Sequence, residues 1–327
     1  MKKTILTLAL AATCAASAWA QTPAPAGAAM TFVIPYPPGG VSDIMARTLA
    51  PAMGKILGRT LIAENMPGAS GSIAAKKVLD APANGSLLFM GSPTETVLAP
   101  ATLKAVKYQP ADFRLLAVVY QAPLALYVRG DMPAKTVDEL LTNARKPDAK
   151  PLSYGSTGPG SLFHLAGEGL REAAQLDAAH IPYRGGAPLM QDLMGGSVDM
   201  TLLPADGNIA QRVEGGRMRA IAVAAPARVA AFPNVPTFAE SKLLPQFTAQ
   251  GVWAGVMVPA TTPEPVVVQL HKALGEALAL PDVRQALEAA GGTSLPPLQT
   301  LAQAKVFYQA EVSKLTAAAR LAKLEPN

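Results

Sequence analysis

The sequence predicts an α/β protein built as two lobes, and three observations carry that expectation. Short β-rich apolar runs alternate with helical patterns along most of the 327 residues. Charged residues are 16% and aromatics 5%, with 27 Gly and 30 Pro, which suits many punctuated loops and argues against a coiled coil or a helical array. Two long apolar stretches, Leu116–Val128 and Gln250–Val258, flank a self-contained α/β block, as expected where a chain enters a second domain and later returns. Lobe I is therefore expected at 30–120 plus 250–327, and lobe II at 121–249. At about 150 residues per domain the length also fits two domains.

The N-terminus reads as an address. Lys2 and Lys3 precede an apolar run, Ile5–Ala16, and Ala18-Trp19-Ala20 then supplies small residues before Gln21. This is the pattern of a secretory signal peptide over residues 1–20, cleaved after Ala20. The run is too short to cross a bilayer. A lipoprotein reading through Cys14 fits less well, because Thr13 precedes it and the apolar core would be cut short. A chain starting at Gln21 carries no cysteine, hence no disulfide or thiolate site. Loss of Lys2 and Lys3 takes the net charge from +5 to +3. A pI near 9.3 could suggest nucleic acid, but Lys and Arg are scattered without aromatic interleaving, so no nucleic-acid partner is expected. Residues 21–29 read as a flexible leader, and no later segment reaches the roughly 18 apolar residues of a membrane span, so a soluble mature protein is expected.

Along the mature chain, Thr31–Pro35 reads as a buried strand followed by the tight loop Pro37-Pro38-Gly39-Gly40. Ser42 is expected to cap a helix with Asp43 in its first turn and Met45, Leu49, Met53 and Ile56 as its apolar stripe. Further strands are expected at Thr60–Ala63, Leu87–Gly91, Leu115–Val119, Ala125–Val128, Leu152–Tyr154, Ala179–Pro182, Val198–Leu203, Ala220–Ala224 and Val252–Val258. Repeated strand–helix–strand order predicts parallel sheets with helices on both faces. Three C-terminal helices are expected to cover a sheet. They begin at Thr262-Pro263-Glu264 and continue over Asp282–Ala289 and Leu298–Leu321.

The catalytic inventory is thin. His164, His180 and His271 lack metal-ligand spacing, and there is no nucleophile elbow, phosphate loop or complete dinucleotide fingerprint, so no metal or cofactor is expected. Three strand-to-helix loops offer a different chemistry. They are Pro37–Asp43, Gly91–Thr94 and Tyr154–Ser161, with Pro38, Gly39, Gly40, Ser42, Asp43, Ser92, Thr94, Tyr154, Ser156, Thr157, Gly158, Gly160 and Ser161 as candidate ligand contacts. Glycine allows close backbone approach, and the first N–H groups of a helix have no internal partner, so such loops attract anions. His164, Tyr183, Arg184 and Asp206 are added as possible walls of the same cleft. Each has a plain structural alternative: loop glycines and serines serve as turns and caps, His164 as a packing residue, Asp43 as a helix-dipole partner, Arg184 as a solvated charge, and Asp206 as a helix start.

The sequence resembles the Bug-type periplasmic solute receptors, the substrate-binding components of tripartite tricarboxylate transporters. The resemblance runs from Phe32 to about Leu321. It is carried by Pro35-Tyr36-Pro37-Pro38-Gly39-Gly40 with Asp43 and Arg47; Glu64-Asn65-Met66-Pro67-Gly68-Ala69; His164-Leu165-Ala166-Gly167-Glu168; Pro182-Tyr183-Arg184-Gly185-Gly186; Val235-Pro236-Thr237 with Glu240; and Trp253 with Gly255. It implies a two-lobed Venus-flytrap fold of the periplasmic-binding-protein type. It also implies a periplasmic, monomeric, non-enzymatic receptor that holds a small carboxylate through backbone amides and ordered water and hands it to a membrane permease. Carried over, Pro37–Asp43 belongs to lobe I and Gly155–Ser161 to lobe II. Asn84 stands where an aspartate is common before Gly85. Leu203-Pro204-Ala205-Asp206-Gly207 departs from the family pattern in a region that shapes ligand preference. Two alternatives stay open: a secreted hydrolase pairing Ser92 or Ser156 with His164, and a receptor whose partner is a sensor kinase.

Overall fold

The computed structural model describes residues 29–291 and 298–322. The expected signal peptide, and the leader up to residue 28, lie outside the described residues. Two five-stranded sheets organise the chain. The first comprises β1 (Met30–Ile34), β2 (Leu61–Asn65), β3 (Leu87–Gly91), β4 (Phe113–Ala122) and β10 (Val252–Pro259), in the order β2-β1-β3-β10-β4. The second comprises β5 (Leu124–Arg129), β6 (Leu152–Ser156), β7 (Ala178–Pro182), β8 (Met200–Pro204) and β9 (Met218–Ala224), in the order β7-β6-β8-β5-β9. Every expected strand overlaps one of these. The chain passes from the first sheet to the second at Pro123 and returns before Val252.

The sheets are mixed, not parallel throughout. β1 pairs in parallel with β2 and β3, and β6 with β7 and β8. In contrast, β10 is antiparallel to β3 and β4, and β5 is antiparallel to β8 and β9. The reversed strands are the ones the chain uses to move between sheets. A strand that arrives without a helical crossover is free to run antiparallel. Trp253 on β10 is buried, donates from Nε1 to Glu311 Oε2 at 3.1 Å, and meets Phe307 and Tyr308 edge-on.

Helices cover both faces of each sheet. α1 (Val41–Leu57) buries Met45, Leu49 and Met53 against β1 and β3, alongside α8 (Glu264–Ala279) and α9 (Pro281–Gly291). α2 (Ser72–Asp80) and α10 (Leu301–Leu321) take the opposite face. Around the second sheet lie α4 (Val137–Ala144), α5 (Leu162–Ala174), α6 (Gly186–Gly195) and α7 (Gly207–Val213). A short helix, α3 (Ala99–Thr102), follows β3. Ser42 does not cap α1: the N-cap is Gly40, with no side-chain cap, and Ser42 lies inside the first turn. The reason is Asp43, whose carboxylate claims the Gly39 amide and starts the helix early.

Candidate functional site

The carboxyl ends of β1, β3, β6, β7 and β8 face one cleft between the sheets, and each gives way to a loop or helix start, the usual location of ligands in open α/β sheets. Gly39, Gly40 and Ser42 arrive from β1 and α1, and Ser92 and Thr94 from β3. Across the cleft stand Thr157 after β6, Gly186 and Ala187 at the start of α6, and Asn208 and Ile209 in α7. These residues line a cavity of about 90 Å³. Val41, Phe163, Met190, Leu203, Val252 and Trp253 make the rest of its wall largely apolar. Among the described residues, no Lys, Arg, His, Asp or Glu lines it.

The lobe I loop is held by Asp43. This buried carboxylate accepts from Gly39 N–H at 2.9 Å, Arg47 Nε at 2.8 Å and Asn65 Nδ2 at 2.8 Å. Asn65 Nδ2 also donates to Tyr36 O at 3.0 Å, and Asn65 Oδ1 accepts from Arg47 at 2.7 Å. Gly39 adopts φ +85°, a left-handed conformation that suits glycine. With the loop folded back, the amides of Gly40, Val41 and Ser42 at the start of α1 have no partner among the described residues. Across the cleft, Gly186 and Ala187 open α6, also without a side-chain cap. Thr157 completes the set. It is 4% exposed, its hydroxyl is buried with no hydrogen-bond partner, and it lines the cavity.

The Gly155–Ser161 loop behaves differently from expectation, because its amides are largely used by the protein. Gly158 N–H donates to Ser156 Oγ at 3.1 Å, Gly160 N–H to His164 Nδ1 at 3.0 Å, and Ser161 N–H to Gly158 O at 3.2 Å. Ser161 is the N-cap of α5 and accepts from His164 N–H at 3.2 Å. The first amide of α5, Leu162 N–H, reaches across the cleft to Thr94 Oγ1 at 3.1 Å. Ser70 Oγ donates to Pro159 O at 2.7 Å, a second bond between the lobes.

Of the residues expected to touch a ligand, Gly39, Gly40, Ser42, Ser92, Thr94 and Thr157 line the cavity. The others lie outside its lining. Pro38 and Arg184 are exposed. Gly158 and Gly160 face Ser70 and Thr102 of the opposite lobe. Tyr154 donates to Glu168 and stacks on His180, which stacks on His164 with centroids 3.9 Å apart. Burial and the neighbouring His164 push His180 down to about 4. Tyr183 donates to Asp192 Oδ2 at 2.9 Å. Asp206 caps α7 and accepts from Tyr120 OH at 2.6 Å, a third bond between the lobes. Burial raises its carboxyl to about 6.

The serine–His164 pairing of the hydrolase alternative is not formed. Ser156 is fully buried, outside the cavity lining, with its Oγ 2.7 Å from His180 Nε2, and Ser92 Oγ donates to Glu95. Sequence reasoning missed Tyr36, the start of α6, the apolar wall and Glu95. Glu95 lies on a single turn of π-helix, Thr94–Leu98, and is fully buried. Its Oε2 accepts from Tyr36 OH at 2.9 Å and Ser92 Oγ at 2.8 Å, and its Oε1 from Ser92 N–H. Burial raises its carboxyl to about 7, with the Ser92 and Tyr36 hydrogen bonds partly opposing. In the sequence its only mark is an acid directly after the Ser92-Pro93-Thr94 turn; its burial is decided by the fold.

Residues 45–319 match the tripartite tricarboxylate transporter family receptor. A protein encoded between tcbD and tcbE in Pseudomonas sp. strain P51 is 35% identical over 263 residues, covering 80% of this chain and 77% of the relative. The periplasmic binding protein BugD superposes with a TM-score of 0.83 at 30% identity, covering 92% of this chain and 99% of BugD. MatC from Rhodopseudomonas palustris, solved with bound malate, superposes with a TM-score of 0.81 at 30% identity, covering 89% and 98%.

Proposed function

Because this chain belongs to the tripartite tricarboxylate transporter receptor family and is one of its solute-binding proteins, we propose that it captures a small organic carboxylate between its lobes and delivers it to the membrane subunits of such a transporter. The observation that carries this is the buried, unpartnered hydroxyl of Thr157, a residue lining a cavity onto which uncapped helix starts open from both lobes. Amides at two helix N-termini and one free hydroxyl form a donor set for an anion, aided by the positive ends of both helix dipoles. Ordered water extends that donor set where amides do not reach, so no arginine is needed. The malate bound by MatC supports a carboxylate as the anchor.

Capture works by hinge closure. A ligand touching both lobes stabilises the closed arrangement by its differential affinity for it. The Ser70–Pro159, Thr94–Leu162 and Tyr120–Asp206 bonds would form on closure and break on release. The protein acts as a periplasmic monomer, delivered by its signal peptide, and without catalysis.

Calorimetry and thermal shift with carboxylic acids test this. A bound acid raises the melting temperature of the folded state. Thr157→Val is isosteric and removes a hydroxyl that has no protein partner. Affinity should fall by about 1–2 kcal/mol, while the melting temperature of the free protein holds or rises. If no carboxylate raises the melting temperature, or if Thr157→Val binds as tightly as the wild type, this site does not hold a carboxylate.

A further inference from the structure

Resting on the carboxylate-capture reading above, we propose that Glu311 is a positioning residue for the ligand: from α10, outside the cavity lining, it fixes the start of β10 as one wall of the site. Val252, Trp253 and Ala254, the first three residues of β10, line the cavity. Val252 and Trp253 also line a second space of about 290 Å³, together with Gln250 and Glu311. This short stretch therefore stands as a partition between the two spaces.

The sheet supports the partition only in part. β10 pairs with β3 from Gly255 onward, whereas Val252, Trp253 and Ala254 pair with β4 alone. The ladder to β4 also shifts register between Ala254 and Gly255, which separates the stretch from the regular strand beyond it. A wall bordered by space on both sides and paired along one edge needs a further anchor. Glu311, 8% exposed, supplies it: its Oε2 accepts from Trp253 Nε1 at 3.1 Å and from Gln250 Nε2 at 3.3 Å. Phe307 and Tyr308, a turn earlier on α10, meet the indole edge-on with centroids 5.6 Å and 6.1 Å away. Those contacts hold the ring by its hydrocarbon. They do not decide where its single polar group, the N–H donor, points. A ring turned over would lose its acceptor and leave a buried donor unpaired, so the Glu311 bond selects one ring orientation. A site wall is held in shape by such supporting bonds from outside the site.

Calorimetry and thermal shift with malate, adipate, butanoate and benzoate, on the chain starting at Gln21, test this with two substitutions. Glu311→Gln keeps an oxygen able to accept both bonds, and Glu311→Met keeps the length and hydrocarbon bulk without an acceptor of that kind. An acid that binds the wild type should bind Glu311→Met about tenfold more weakly and Glu311→Gln within about twofold. Trp253 is the single tryptophan of that chain, since the other, Trp19, precedes Gln21, so its indole N–H gives one proton resonance. That resonance should move when the wild type is saturated with the acid, which a role in folding alone would not produce. Binding by a folded Glu311→Met as tight as by the wild type overturns the proposal, and so does a loss that Glu311→Gln fails to restore. An indole resonance indifferent to saturating acid overturns it with no variant, so a Glu311→Met protein that does not fold cannot shield it. In each of these cases the acid still binds the wild type and carboxylate capture stands. If none of the four acids binds, carboxylate capture falls and this proposal falls with it.

Discussion

Asp43 shows how one side chain prepares a site it does not line. Its carboxylate uses up the Gly39 amide and turns the loop back, leaving the next three amides open at the start of α1. Arg47 and Asn65 hold it in place, so three residues that look separate in sequence act as one brace. Asp43→Ala would take the shared, buried acceptor away from the Gly39, Arg47 and Asn65 donors. The cost should be on the order of 2 kcal/mol of stability, with ligand affinity reduced because the loop loses its shape. Denaturant midpoints and calorimetry check both. A variant with an unshifted midpoint would show that the loop holds without its brace. The sequence made Asp43 a plausible site residue from its place in a first turn. It could not tell ligand contact from scaffold, because that depends on Asn65, 22 residues away.

At the scale of elements, the start of α5 is the instructive case. Its Gly155–Ser161 loop looks like an anion cradle in sequence. In the fold it is a contact between lobes, with Leu162 N–H bonded to Thr94. Gly160 sits at φ +69°, and a Cβ there would come 2.0 Å from Thr102 Oγ1 on the opposite lobe. Gly160→Ala should therefore hold the lobes apart. In small-angle scattering at saturating ligand, the wild type should contract and the variant should stay extended, with affinity weakened roughly tenfold or more. Equal contraction would show that the Gly160–Thr102 approach does not limit closure. The start of α6 shows the converse. Tyr183-Arg184-Gly185-Gly186 drew attention to Arg184, whose charge is conspicuous, whereas the backbone of Gly186 and Ala187 lines the cavity.

For the whole molecule, buried acids set the response to pH. Burial raises the carboxyls of Glu95 to about 7 and Asp206 to about 6, above ordinary unfolded values near 4. A raised folded-state value contributes stability that is full below about pH 4 and is lost as pH rises through 6 and 7. The melting temperature should therefore fall between pH 5 and pH 8. Glu95 alone supplies on the order of 3 kcal/mol of that loss, at about 1.4 kcal/mol per pKa unit. His180 acts oppositely, its lowered value removing stability as pH falls from 6.5 towards 4. Glu95→Gln should remove its share of the fall between about pH 4 and 7 and leave the opposing His180 contribution in place. A wild-type profile that is level from pH 5 to 8 would contradict the buried ionisable Glu95.

The positions of all ten strands, the helical stripes and the lobe I loop followed from local pattern, because apolar periodicity and turn residues act over a few positions. The direction of β5 and β10 did not, since strand polarity depends on how the chain crosses between sheets. Nor did the cavity's membership. Thr157 is a free donor and Leu162 N–H is not because Thr94, more than sixty residues earlier, reaches one and leaves the other. Which hydrogen-bonding groups stay open to a ligand is settled by which ones the folded chain satisfies itself, and that sum runs over both lobes at once.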